Sequence, residues 1–159
     1  MNPKSKIIGF CGGFFDISGV GKTTAANTLV EKYNFHLCHI GDNIEKIAKK
    51  TTQWDGIKDK KGIEILSKIC IEGRTINQNY WINLALASIP ENKNRIVFDD
   101  ISFTNEYNII KNMAGILILI QRTGFSQPEW DFTPDHILNN NSTIEDFTKN
   151  TCTLVENLL

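Results

Sequence analysis

Two periods of apolar residues alternate along the chain. Ile7, Ile8, Phe10 and Cys11 form a short apolar run that predicts a buried strand, and Ala25 to Tyr33 has helical spacing. Phe35 to Ile40 predicts a second strand. A helix then opens at Gly41-Asp42-Asn43-Ile44-Glu45, with Asp42 and Glu45 spaced as a capping box. Residues 51–61 are polar and read as an exposed loop. Ile63, Leu66, Ile69 and Cys70 follow one helical stripe, and Ile76, Tyr80, Leu84 and Ala87 follow another. Arg95 to Phe98 predicts a third strand, ending at Asp99-Asp100. Thr104 to Met113 reads as helix, and Gly115 to Gln121 as the most apolar strand. Beyond a loop over 123–135, His136 to Leu138 predicts a short strand. Ser142 and Glu145 form a second capping-box spacing, which starts a final helix with Ile144, Phe147, Leu154 and Leu158 on one face.

Strands that alternate with helices and are apolar throughout predict a parallel sheet covered on both faces. The fold class is therefore α/β. A length of 159 residues fits a single domain with one core. Parallel sheets of this kind place their ligands at the carboxyl ends of the strands.

The stretch from Ile7 to Thr24, IIGFCGGFFDISGVGKTT, carries the chemistry. A glycine-rich turn between a strand and a helix, ending in Gly21-Lys22-Thr23, is the signature of a phosphate-binding loop. Its glycines let successive backbone N–H groups converge on phosphate oxygens, and the helix N-terminus adds its positive dipole end. Ser18, Gly19, Val20, Gly21, Lys22, Thr23 and Thr24 are the candidate cradle, with Lys22 reaching the β/γ-phosphates and the Thr23 hydroxyl holding Mg²⁺. The usual spacing puts a glycine where Asp16 stands. Measured from Gly12, the loop is about four residues longer than usual, through Gly13-Phe14-Phe15-Asp16-Ile17. Phe14, Phe15 and Ile17 are expected to pack over the nucleotide or against a lid.

Composition excludes more than it selects. Hydrophobic content of 41% and charged content of 22% are ordinary for a soluble globular protein. A net charge of −1 gives no reason to expect stable nucleic-acid binding. The charge is uneven, however: residues 123–159 carry six acids against Lys149 alone, leaving 12 acids and 16 bases in residues 1–122. Cations for an anionic substrate must come from the earlier part. Cys11, Cys38, Cys70 and Cys152 lie in apolar contexts with no CxxC pair, as expected of free thiols in a reducing cytosol. The longest apolar run, Met113 to Ile120, is too short to span a membrane. The expected setting is cytoplasmic, the expected assembly a monomer or homodimer, and Met1 to Ser5 are expected to be disordered.

The three arginines sort by position. Arg95 begins its strand and falls at the wrong edge of the sheet. Arg122 ends its strand and falls at the ligand edge. Arg74 lies between two helical stripes, where a second substrate of a small kinase would bind.

Several segments, taken in order, resemble the phage-type deoxynucleoside monophosphate kinases, relatives of adenylate kinase. They are the phosphate loop, His39-Ile40-Gly41-Asp42, Gly73-Arg74-Thr75-Ile76-Asn77-Gln78-Asn79-Tyr80-Trp81, Asp100-Ile101-Ser102-Phe103-Thr104-Asn105-Glu106, Gly115 to Arg122, and Asn140-Asn141-Ser142-Thr143-Ile144-Glu145-Asp146-Phe147. The resemblance implies a three-layer P-loop fold with a five-stranded parallel sheet and a short mobile lid, here about 122–135. It implies transfer of a phosphoryl group from ATP to a deoxynucleoside monophosphate, with Mg²⁺. Asp42, Arg74 and Trp81 would face the monophosphate, Asp100 the magnesium shell, and Arg122 the transferring group. Asn140 to Thr143, with Asn140 and Ser142 as contacts, would lie near adenine. Ser102 stands where the family usually has arginine.

The chemistry fits this reading without the family. A nucleoside monophosphate is mostly dianionic at neutral pH, so its oxygen is already nucleophilic. Catalysis then consists of alignment and charge neutralisation, by Lys22, Mg²⁺ and an arginine. Other roles compete at several positions. Asp42 also fits a simple N-cap, Arg74 a surface or helix-dipole position, Asp99 a cap or solvent-facing position, and Trp81 core packing. Trp54 and Trp130 fit either a cover for a base or a surface patch. His36, His39 and His136 have no ligand spacing. Two alternatives to the monophosphate kinase stay open: another small-molecule P-loop kinase, such as a dephospho-coenzyme A or sugar kinase-like enzyme, and a nucleotide-binding protein of low turnover.

Overall fold

The computed structural model describes residues 6–13, 19–129 and 131–159. Phe14 to Ser18, Trp130 and Met1 to Ser5 lie outside the described residues, so the expectations for Ser18, for Trp130, for the Phe14–Ile17 insertion and for the N-terminal segment fall there too. The chain divides into two compact units, residues 1–38 with 90–159, and residues 39–89.

The first unit is built on five parallel strands: β1 (Lys6–Cys11), β2 (His36–Cys38), β3 (Arg95–Ile101), β4 (Ile116–Gln121) and β5 (His136–Asn139). Their order is β2-β3-β1-β4-β5, which places the strand of the phosphate loop at the centre. Among the described residues this unit has three helices: α1 (Lys22–Tyr33), α5 (Thr104–Asn112) and α6 (Ile144–Glu156). The two faces of the sheet are separated by the alternation of side chains along each strand. Ile8 and Phe10 of β1, Val97 of β3 and Ile118 and Ile120 of β4 pack with Ala25, Ala26 and Leu29 of α1 and Phe147 and Val155 of α6. On the opposite face Gly115 lies against Ile110 of α5 and Ile7 of β1, and Gly9 is closed in by Leu117 and Ile101. The expected α/β fold with five parallel strands is therefore present.

The second unit holds α2 (Gly41–Thr51), α3 (Lys60–Ile76) and α4 (Tyr80–Ala87), which pack pairwise on one another. Its core includes Ile44, Ala48, Leu66, Ile69, Trp81, Ile82 and Ala85.

Several local expectations are corrected. The capping box at Asp42 and Glu45 does not form: α2 begins two residues earlier, with Ile40 as N-cap and no side-chain cap. Glu45 pairs instead with Lys58 at 2.6 Å. At the start of α6 the cap is Thr143, not Ser142, and its hydroxyl oxygen accepts from the Asp146 backbone N–H at 3.1 Å. Ile144 precedes the buried face and is 67% exposed. Ile76 ends α3 rather than starting the next stripe, and it is 77% exposed. The segment over 51–61 is not simply an exposed loop. Trp54 is buried within it, its indole N–H donating to the Ile57 carbonyl at 2.8 Å while Gly62 of α3 leaves room for the ring. Neither a base cover nor a surface patch describes Trp54; it is the plug of its own turn.

Candidate active site

The site grows from the carboxyl ends of β1, β3 and β4. Past Cys11 the backbone enters Gly12 at φ 145, a conformation that suits glycine, with the Ile120 carbonyl where a side chain would begin. The loop returns through Gly19 at φ 103 and Gly21 at φ 115, and Gly21 is the N-cap of α1. A Cβ on Gly21 would lie 2.5 Å from Nδ2 of Asn140 and 3.3 Å from the Phe147 ring, so only glycine fits between helix and loop. Val20, between these glycines, is buried in the core and anchors the return.

Lys22 and Thr23 open α1. The Lys22 ammonium donates to the Gly12 carbonyl across the mouth of the loop. Burial holds its pKa below the usual lysine value, against the opposing pull of Asp100 and Asp99. Cys11, directly behind, is a neutral thiol: burial pushes it up to about 12, although Lys22 draws it the other way. The Thr24 carbonyl accepts from Thr28 one turn on, at 2.9 Å, so Thr24 is committed to the helix.

β3 runs farther than its apolar run predicts, to Ile101, and carries both aspartates inside the strand. Asp99 is 3% exposed and accepts from the Thr23 hydroxyl at 2.9 Å. It is neither a cap nor solvent-facing, and this corrects the sequence expectation. Asp99 and Asp100 each offer a carboxylate oxygen within 4.8 Å of the other. The Thr23 hydroxyl and the two carboxylates offer oxygen ligands, the kind that suit Mg²⁺.

Arg122 follows the last residue of β4, at the expected edge, and donates from Nη1 to the Gly19 carbonyl at 2.6 Å. Its guanidinium lies 5.4 Å from the centroid of the Phe125 ring. Arg95 lies at the opposite edge, as expected, and donates to the Tyr33 carbonyl at 2.9 Å. Asn140 follows β5, and its side-chain amide donates to the Val20 carbonyl at 2.8 Å, buttressing the loop. Ser142 is exposed in the connection to α6.

In the second unit, Asp42 is exposed in the first turn of α2, and Arg74 lies in the last turn of α3. Trp81 is 3% exposed, and its indole N–H donates to the Cys70 carbonyl at 2.9 Å. It packs on Gly73, where any Cβ would stand 2.5 Å from the indole. Packing is thus a role Trp81 visibly has.

Two contributors escaped the sequence reading. Asp99 was legible only as one of a pair. Gln127, unmarked by any motif, accepts from the Gly13 N–H at 2.9 Å and donates to the Ile120 carbonyl at 3.3 Å.

Comparison with known proteins agrees with this fold. Over 95% of its length the chain is 24% identical to a protein of Acanthamoeba polyphaga mimivirus, provisionally named a deoxynucleotide monophosphate kinase, of which the match spans 96%. The fold is similar to that of a shikimate kinase from Bacteroides thetaiotaomicron, with a TM-score of 0.55 at 13% identity, covering 94% of this chain and 98% of the other. It is also similar to a dephospho-CoA kinase from Campylobacter jejuni, with a TM-score of 0.51 at 15% identity and coverage of 98% and 96%. Residues 17–120 match the model of the AAA domain family. With more than half of its residues in that match, the chain belongs to the AAA domain family and carries the P-loop kinase fold.

Proposed function

We propose that the protein transfers the γ-phosphoryl group of ATP to a nucleoside monophosphate, with a deoxynucleotide as the favoured acceptor. The observation that carries this reading is the Lys22–Thr23–Asp99 constellation. It sets an ammonium, a hydroxyl and a buried carboxylate at a glycine-lined loop, on the carboxyl edge of a parallel sheet. Such a grouping suits a triphosphate with its cation far better than a neutral ligand. The choice of acceptor is supported by the end-to-end match with the mimivirus protein and by the ordered segments that resemble the monophosphate kinases.

In this reading Gly19 to Thr24 cradle the phosphates, and Lys22 exchanges the Gly12 carbonyl for a phosphate oxygen. Thr23 and Asp100 hold Mg²⁺, with Asp99 fixing the Thr23 hydroxyl. Mg²⁺, when bound, neutralises charge on the phosphate oxygens and orients them. Arg122 leaves the Gly19 carbonyl to reach the transferring group, over a short distance because it already stands beside the loop. Asn140 keeps the cradle in shape from behind Val20, and Ser142 is placed near the adenine. The acceptor is assigned to Asp42 and Arg74 of the second unit, with Trp81 setting the position of Arg74 through Gly73. The acceptor phosphate is already ionised, so no general base is required.

The test is ADP release from Mg-ATP against a panel of ribo- and deoxyribonucleoside monophosphates. Release that depends on a particular monophosphate supports the reading. Release that depends on shikimate-like, sugar or dephospho-coenzyme A acceptors instead would replace it.

A further inference from the structure

The turn after β4 grips both ends of the phosphate loop. Arg122 and Phe125 form a tight turn, closed by the Phe125 N–H donating to the Arg122 carbonyl at 3.1 Å, with Gly124 at φ 84. The Thr123 N–H donates to Asn141 at 2.7 Å, which ties the turn to the chain after β5. Folded back in this way, the Phe125 ring lies 3.3 Å from where a Cβ on Gly19 would be, and Arg122 bonds the Gly19 carbonyl. Two residues on, Gln127 bonds the Gly13 N–H with one end of its amide and the Ile120 carbonyl with the other. Gly13 and Gly19 are the residues on which the described parts of the loop leave and return.

We propose that Gln127 is a positioning residue for ATP, fixing the departure of the loop while Phe125 fixes its return. The inference rests on the nucleotide-site reading and goes beyond it in two respects. First, the Gly13 N–H is engaged by a side chain, so this amide is not one of those that face phosphate. Second, the segment after β4 contributes more than Arg122 to the site: it holds the glycine loop against the Ile120 carbonyl, which already crowds Gly12. Holding Gly13 and Gly19 in place before the nucleotide arrives lowers the ordering cost of binding. Gln127 is suited to this because its amide offers an acceptor and a donor on one planar group.

The test uses Gln127→Leu, which keeps the volume and removes both hydrogen bonds, and Phe125→Leu at the other end. Binding of a non-hydrolysable ATP analogue with Mg²⁺ is measured by calorimetry, the KM of the acceptor by steady-state kinetics, and the Gly13 amide exchange by NMR. For Gln127→Leu the expected result is analogue binding weakened about tenfold, with faster Gly13 exchange, an unchanged acceptor KM and a drop in melting temperature of no more than a few degrees. Wild-type affinity in this variant would overturn the proposal. So would a lowered melting temperature with affinity intact, which is the mark of a purely structural residue. Should the wild-type chain fail to bind the analogue, the nucleotide reading fails by itself. Gly13 exchange needs no ligand, and in that case exchange unchanged in Gln127→Leu would overturn the clamp as well.

Discussion

Thr23, in the first turn of α1, donates its hydroxyl to the buried Asp99 of β3 across 2.9 Å. The bond ties the helix that carries the phosphate loop to the neighbouring strand of the central pair. Thr23→Val and Asp99→Asn should each weaken the apparent Mg²⁺ affinity of the ATP reaction, by about 10–100-fold, as loss of a ligand-orienting partner does elsewhere. The double variant should lose little more than the worse single one, because both act through one hydroxyl. Magnesium titrations of the steady-state rate measure this, and additive losses would mean that the two residues act separately.

Arg122 is the cation at the ligand edge of β4, and it rests on the Gly19 carbonyl and the face of Phe125. Arginines that stabilise a transferring phosphoryl group contribute roughly 10³–10⁵ in rate. Arg122→Ala should therefore lower kcat by about 10³ or more with a much smaller change in ATP affinity. Single-turnover kinetics separate the two. A variant with near-normal turnover would remove Arg122 from the chemistry.

Trp81 and Gly73 are fitted to each other so closely that the indole lies where a Cβ would be, 2.5 Å away. Gly73→Ala should destabilise the protein by about 1–3 kcal/mol through overpacking. Trp81→Phe, which removes the bond to the Cys70 carbonyl, should cost about 1 kcal/mol or more. Both are read from urea unfolding. Arg74 follows Gly73 directly, so the kinetic cost of Gly73→Ala should fall on the acceptor KM and spare that of ATP.

Residues 131–135 are strapped to α5. Asp131 accepts from Thr104, Phe132 stacks on Tyr107 with ring centroids 4.7 Å apart, and Asp135 pairs with Lys111 at 2.7 Å. Burial pushes the Asp135 carboxyl up, but the Leu117 N–H and Lys111 together outweigh it and hold the group below its ordinary value. A depressed carboxyl stabilises the fold above its unfolded pKa, and the contribution fades as pH falls through the folded value. Asp135→Asn should accordingly lower the melting temperature at pH 7, by an amount that shrinks as the pH drops below about 4. Melting curves from pH 7 to 2.5 test the sign; a deficit that grows toward acid would contradict it.

The sheet could be read from the chain because parallel strands buried on both faces must be apolar throughout, and Ile7–Cys11 and Ile116–Ile120 are. The loop and its Lys22 were legible because glycines at a strand-to-helix turn have few other uses. The division of labour between Asp99 and Asp100 was not. The pairing of β1 with β3 is irregular between Gly9 and Cys11, and that irregularity, which sequence does not announce, decides which aspartate meets Thr23. Trp54 escaped because its partners are a backbone carbonyl and a glycine, which carry no polarity pattern. Gln127 escaped because a single amide that bonds two main-chain groups leaves no trace in spacing. The helix starts were misread by a residue or so since Ser142 and Thr143 both suit an N-cap, and only the backbone path selects between them.

The most direct test follows the phosphate itself. Purified protein is given Mg-ATP labelled at the γ-phosphate, together with each nucleoside monophosphate in turn, and the products are separated by chromatography; Lys22→Ala serves as the blank. The account predicts label in the diphosphate of one or a few deoxynucleotides, and none in the blank. Tight ATP binding with label on no monophosphate, or equal labelling by Lys22→Ala, would contradict it.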